Sequence, residues 1–357
     1  MQLLPLHGHA TLRSRFDDAI ARDALPGSLL LHGPIGVGKQ RLALWIGQRL
    51  VCTGADPRPC GSCQHCRYSL AGTHPDVHWY FPRPRLKEGD ASPAKTEEDF
   101  RDAIGERLKS GAYGPPPPEE GILVSTIRAI VQSAAMAPAL AARKVYVVGD
   151  AERMVLREGS EESAGAFLKL LEEPPSRATI ILTTSEPGAL IPTIRSRLVA
   201  VRVSALGASD VGAVLAEPGM RDAVAAAGAP GRMAEQVKLA NGAPGTLLSG
   251  AEWGDALARA RRMLDAASHG DPGEQFKTAI MQGSSKARGA FTTSLDALTT
   301  LLHGRMRAAA EQGNAAGATG AARAIDAVEQ AKERATGNVN PQLITSELLR
   351  QLESNLS

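Results

Sequence analysis

The chain has 357 residues, 43% of them hydrophobic and 22% charged, with a formal net charge of +2. That length allows two or three domains. The near-neutral balance argues against a dedicated wrapper of nucleic acid, and no apolar run approaches a membrane span. Met1-Gln2-Leu3-Leu4-Pro5 lacks the charged and apolar regions of a secretion signal, so a cytoplasmic location is expected.

Residues 28–32 (Ser-Leu-Leu-Leu-His) are an apolar run suited to a buried strand, and residues 41–50 carry helical spacing at Leu42, Trp45, Ile46 and Leu50. Between them lies Gly33-Pro34-Ile35-Gly36-Val37-Gly38-Lys39-Gln40. This follows the phosphate-binding pattern G-x-x-x-x-G-K-[ST] up to its last letter. The glycines let backbone N–H groups curl around phosphate oxygens, and the Lys reaches the β/γ-phosphates. The hydroxyl that should hold Mg²⁺ is replaced by Gln40. Gly33, Gly36, Gly38 and Lys39 therefore form a degenerate nucleotide site, able at best to hold phosphate weakly and without the metal.

Next come the four cysteines of the chain, Cys52-x7-Cys60-x2-Cys63-x2-Cys66. Tetrahedral thiolate coordination and short C-x2-C steps suit a structural Zn²⁺. A redox or disulfide cluster is the competing reading, and disulfides are rare in the cytosol. His65, His74 and His78 lie nearby, but four thiolates already close the shell.

Residues 76–81 read as a further strand. The stretch 82–121 is rich in Pro and charge, includes Pro115-Pro116-Pro117-Pro118, and reads as an exposed, mobile insertion without a partner. Phe100, Ile104 and Leu108 could line one helix inside it. Residues 144–148 (Lys-Val-Tyr-Val-Val) form a β-branched run expected to be a buried parallel strand. An ATPase of the P-loop type would end that strand in Asp-Glu, for metal and water respectively. Here the pair is Gly149-Asp150, which beside Gln40 makes self-contained hydrolysis unexpected.

Residues 179–184 and 199–203 complete the candidates for a parallel sheet. Short Ala- and Gly-rich helices follow Ser204, ending near Gly242-Ala243-Pro244-Gly245. Beyond Ala251 the pattern is helical throughout. Trp253, Leu257, Met263 and Leu264 mark one apolar face, and Phe291, Leu295, Leu298 and Leu302 another. Asn340-Pro341 is a good start for a last helix lined by Ile344, Leu348, Leu352 and Leu356. Such stripes are core or subunit contacts.

The order of these motifs resembles the bacterial clamp-loader branch of the AAA+ ATPases. The cysteine spacing after a P-loop helix carries the resemblance. So does Ala166-Phe167-Leu168-Lys169-Leu170-Leu171-Glu172-Glu173-Pro174-Pro175, similar to the family's A-L-L-K-x-L-E-E-P-P. Ile181-Leu182-Thr183-Thr184 resembles the sensor-1 strand, and Ile194-Arg195-Ser196-Arg197 the S-R-C segment, with Leu198 in place of its Cys. Pro244-Gly245-Thr246 stands where the motor subunits carry a sensor-2 Arg. The degenerate letters point to a member that keeps the fold without the ATPase chemistry.

The resemblance implies an α/β P-loop AAA+ module, a parallel sheet with helices on both faces, followed by all-α parts. The domains expected are 1–203, with a zinc module at 52–66 and the insertion at 82–121, then a helical lid at 204–250 and a helical oligomerisation bundle at 251–357. It further implies a stator of the replicative polymerase's clamp loader. Its partners would be the tau/gamma and delta subunits, with the sliding clamp and primed DNA reached through the complex. Arg197 would be an arginine finger, completing in trans the ATP site of a neighbouring motor subunit. Arg195 is the nearby competitor, while Lys169 and Glu172 read as packing and capping residues. Two other readings stay open: an active clamp-loader ATPase using Asp150 as base, and a zinc-dependent nucleic-acid-binding module.

Overall fold

The computed structural model describes residues 2–85, 92–112, 114–117, 119–154, 161–229, 231–268, 272–282, 288–336 and 339–356. Two compact units make up the chain. The first comprises Met1–Gly33, Gly38–Ser204 and Ala216–Ala223; the second comprises Pro34–Val37, Ala205–Leu215 and Val224–Ser357.

In the first unit the elements run α1 (Ala10–Ala21), β1 (Ser28–His32), α2 (Lys39–Val51), α3 (Gln64–Leu70), β2 (Val77–Tyr80), α4 (Pro93–Ser110) and α5 (Val124–Ala134). They continue with β3 (Lys144–Val148), α6 (Glu161–Glu172), β4 (Ala178–Thr184), α7 (Pro192–Arg195) and β5 (Val199–Arg202). The five strands form one sheet in the order β2-β3-β4-β1-β5, and every pairing is parallel. Parallel neighbours need long crossovers, which the helices supply.

β3 and β4 are buried along their whole length, so they read as continuous apolar runs rather than alternating ones. β1 is flanked on both sides, with Leu29 opposite Ile181 of β4 and Val199 of β5. Its C-terminal end, where the glycine loop begins, therefore opens inside the sheet, one strand from its β5 edge. β5 is an exposed edge, and Val199 is half exposed.

The inserted stretch departs from the exposed segment expected of it. Residues 86–91, 113 and 118 fall outside the described residues, but α4 is an 18-residue helix with Pro93 in its first turn and Ser92 capping the N–H of Lys95. Phe100, Ala103, Ile104 and Leu108 are buried. Phe100 meets Tyr80 and Phe81 edge-on at 4.9 and 5.4 Å. Arg83 grips Asp99 through two hydrogen bonds of 2.9 and 2.7 Å, and the Tyr80 hydroxyl donates to Glu97. Composition suggested solvent; the apolar stripe decided otherwise.

The second unit is helical: α8 (Ala208–Ala216), α9 (Pro218–Ala226), α10 (Met233–Ala240), a 3₁₀ turn (Pro244–Ser249), then α11 (Ala251–Ser268), α12 (Pro272–Ile280), α13 (Arg288–Glu311), α14 (Ala315–Thr336) and α15 (Pro341–Leu356). α8 and α9 each contribute part of their length to the first unit. Trp253, Leu257, Met263, Leu264, Phe291, Leu295, Leu298 and Leu302 share one core with Ile344, Leu348 and Leu352. Among the described residues no helix is long and apolar enough to cross a membrane.

Candidate functional site

The glycine loop leaves β1 and feeds α2, so a helix N-terminus stands where a phosphate would be welcome. Its lysine is nevertheless already in use. Lys39 is buried and its Nζ donates to the Gly33 carbonyl and to Ser185 Oγ, both at 2.9 Å. In the second unit Gly36 takes φ +77°, and its carbonyl accepts a 2.9 Å bond from Gly245 N. A Cβ on Gly36 would come within 2.6 Å of Thr246 N, so only glycine fits there.

Gln40 fills the position from which a hydroxyl would hold metal. Its Nε2 donates to Asp150 Oδ2 at 3.0 Å, and its Oε1 accepts from Trp79 Nε1 at 3.0 Å. The amide thus bridges β2 to the end of β3. A Cβ on Gly149 would collide with all three terminal atoms of this amide, Cδ, Oε1 and Nε2. The two departures read separately in the sequence are therefore one arrangement: the missing side chain at 149 makes room for the long one at 40. With no hydroxyl at 40 and no carboxylate at 149, the residues present do not fit a nucleotide-bound Mg²⁺.

Two half-buried acids lie behind this bridge. Burial pushes the carboxyl of Asp150 up, against the pull of Lys39, Arg107 and Arg153 and of the Gln40 hydrogen bond. Glu152 follows on the short 3₁₀ turn Ala151–Arg153. Its Oε1 accepts from Ser185 N at 3.1 Å, while its Oε2 is buried without a hydrogen-bond partner. Burial and the neighbouring Asp150 raise its carboxyl from 4.5 to about 7. Trp79, Glu152 and Ser185 were not singled out in the sequence. A Trp inside β2 and an acid two residues beyond Asp150 were the only signals.

Arg197 follows α7 and is half buried. Its Nε donates to Glu172 Oε2 at 2.9 Å and its Nη1 to the Thr193 carbonyl at 2.8 Å. The guanidinium is thus held by an acid and a helix-end carbonyl, beside an open recess of about 450 Å³ lined by Glu172, Ser196, Arg197, Leu198 and Val199. Glu172, read as a packing residue, is the partner that orients Arg197. Lys169 is exposed on α6. Arg195 reaches only the Pro187 carbonyl, at 3.4 Å.

The cysteines converge. The four Sγ atoms lie within 4.8 Å of one another, with Cys60–Cys66 and Cys63–Cys52 at 3.9 Å. A tetrahedron of sulfurs about 2.3 Å from Zn²⁺ has edges of about 3.8 Å. Backbone N–H groups of Cys60, Cys63 and Cys66 each point at a sulfur at 3.4 Å. The N–H groups of Cys63 and Ser62 draw the Cys60 thiol down to about 5, whereas burial drives Cys66 up to about 12. A divalent cation would supply the charge that holds all four as thiolates. The donor set fits.

The nearby histidines serve elsewhere. His65 Nδ1 and His74 Nε2 are hydrogen-bonded at 2.9 Å, and His74 Nδ1 accepts from Asp76 N at 3.0 Å. Burial lowers His74 to about 4, so it is neutral. His78 stacks on Tyr146 at 4.9 Å.

The model of the family described as DNA polymerase III, delta subunit, matches residues 8–207. A DNA polymerase III subunit delta′ from Pseudomonas aeruginosa is 33% identical over 171 residues, covering 48% of this chain and 40% of that one. Its counterpart from Bacillus subtilis is 26% identical over 180 residues, covering 50% and 43%. Subunit tau from Escherichia coli is 29% identical over 183 residues, covering 51% and 22%. The match thus spans less than half the length of each of these relatives. Among solved structures, a DNA polymerase III gamma-subunit-related protein from Thermotoga maritima aligns over 96% of this chain and 99% of its own. That alignment has 16% identity and a TM-score of 0.35, too slight a likeness to carry an argument.

Proposed function

The chain belongs to the DNA polymerase III delta-subunit family, and from that membership we propose that it is a clamp-loader subunit of the delta′ kind that does not hydrolyse ATP. The observation that carries the reading is the Gln40 amide, seated between Trp79 and Asp150 in the space that Gly149 leaves. A subunit built this way cannot cycle a metal-bound nucleotide at its own loop. It serves as a fixed piece of a ring with tau/gamma and delta, and acts on the sliding clamp and primed DNA through that ring. The division into 1–203, 204–250 and 251–357, with the last part oligomerising, belongs to this proposal. So does a structural Zn²⁺ on Cys52, Cys60, Cys63 and Cys66.

Arg197 is the residue this reading assigns to chemistry in trans. Guanidinium is always charged, and its fork of donors matches phosphate oxygens. Glu172 and the Thr193 carbonyl hold Nε and Nη1 while the recess leaves an approach to the group. In GTPases such fingers are worth roughly 10³–10⁵ in rate. The test is ATP turnover by the tau/gamma motor with delta, clamp and primed DNA, comparing the wild-type chain with Arg197→Ala. Turnover is expected to require this chain and to collapse in the variant, with no turnover by the chain alone. Equal turnover with both would reduce Arg197 to a helix-end brace. Turnover by the isolated chain would favour the active-ATPase reading.

A further inference from the structure

The insertion between β2 and α5 has no part in the role proposed above, yet α4 is fastened onto β2 and brings Arg107 with it. The guanidinium carbon of Arg107 lies 3.4 Å from the ring centroid of Phe81 and 5.4 Å from that of Trp79. Trp79 donates to Gln40, and Gln40 donates to Asp150. An unbroken line of contacts thus runs from the inserted helix to the half-buried Asp150 of the vestigial site. The second arm of the insertion meets the same site from another side. The Pro117 carbonyl accepts from Arg153 Nη1 at 2.7 Å, and Ile122 N donates to the Arg153 carbonyl at 3.0 Å.

A buried carboxylate needs positive charge nearby or must give up its ionised form. In a hydrolysing P-loop protein the metal supplies much of that charge. Here no metal fits, and two carboxyl groups, Asp150 and Glu152, remain beside Lys39 and Arg153. We infer that the inserted helix α4 is an internal counter-ion module, in which Arg107 provides the positive charge that lets the emptied P-loop site stay folded without a metal. The aromatic faces of Phe81 and Trp79 hold the guanidinium in place, a geometry a desolvated cation favours. In keeping with this, Arg107 ranks after Lys39 among the charges that oppose the upward push of burial on Asp150. The inference stands on the first unit alone and does not depend on the chain's place in a clamp loader.

The alternative is that Arg107 only clamps α4 through its ring contacts, and charge coupling separates the two. The full-length chain alone is unfolded in urea as wild type, Arg107→Met, Asp150→Asn and the double variant. Methionine keeps the apolar stem over the rings and removes the charge. The module reading expects the Arg107→Met loss to shrink at least about tenfold, as an unfolding equilibrium constant, once Asp150 is neutral. Arg107→Lys, which keeps the charge, should show no such dependence on Asp150. Should Arg107→Met fail to fold, the double variant should still fold. Additive losses within about twofold, or failure of both Met variants to fold, would overturn the inference and leave Arg107 a packing residue.

Discussion

The cysteine module and the glycine-loop motif each have the outline of a site for a bound group. They have opposite fates. Around the cysteines the protein leaves its strongest donors turned on one another, four sulfurs at tetrahedral spacing, with N–H groups poised toward thiolate. Around the loop the side-chain donors are turned on protein partners. Lys39 is spent on Gly33 and Ser185, and Gln40 on Asp150 and Trp79. A motif kept in outline can therefore mean a site waiting for its ligand or a site that has replaced it. The hydrogen-bond partners of the donors tell which.

The largest way to sharpen that contrast is to withhold the Zn²⁺ proposed for the cysteines. Strong chelation under reducing conditions, or Cys66→Ser, should release one Zn²⁺ per chain and unfold the segment around α3. Closed zinc sites contribute on the order of 10 kcal/mol to folding in zinc-finger peptides. Hydrogen exchange, followed with metal content, should show protection lost across residues 52–70 and retained in β1, β3 and β4. Full protection of the metal-free chain would make the cysteines simple core thiols.

The loop can be broken by giving back one ancestral letter without the other. Gly149→Asp drives a side chain into the Gln40 amide and sets a third carboxylate beside Asp150 and Glu152. It should cost about 3 kcal/mol in urea denaturation, from overpacking and like charge together. Adding Gln40→Thr should recover at least half of that loss, since the shorter side chain vacates the space. An equal cost in both backgrounds would mean that the two positions are independent.

Much of this was legible in the sequence, and the limits have physical causes. The strands were legible because parallel strands buried on both faces are apolar throughout, as in residues 144–148 and 179–184. The cysteine cluster was legible because its ligands lie close in sequence. The loss of metal ligands was visible at Gln40 and Gly149, but not what filled the space. That depends on Trp79 of β2 and Asp150 after β3 meeting across α2, which strand order alone decides. Arg197 could be singled out, but its pairing with Glu172 joins residues 25 apart across a strand and a loop. The insertion misled most. Its prolines and charges spoke for solvent, while only three apolar residues, Phe100, Ile104 and Leu108, spoke for the sheet.

The smallest expected effect concerns what self-filling left unsolved. Glu152 keeps one oxygen buried without a hydrogen-bond partner, and burial and Asp150 raise its carboxyl from 4.5 to about 7. An acid raised in the native state holds its proton when folded and loses it on unfolding. Its penalty is therefore absent below about pH 4.5, grows as pH climbs to about 7, and is constant above that. A difference of this size corresponds to about 3 kcal/mol at most. Glu152→Gln keeps the oxygen that accepts from Ser185 N and removes the ionisation. The variant should match wild type near pH 4.5 and exceed it by about 2 kcal/mol at pH 8 in urea denaturation. A gain of equal size at both pH values would trace it to packing instead. A gain confined to high pH would mean that Lys39 and the other cations near the loop leave Glu152 uncompensated, a cost a metal site would not carry.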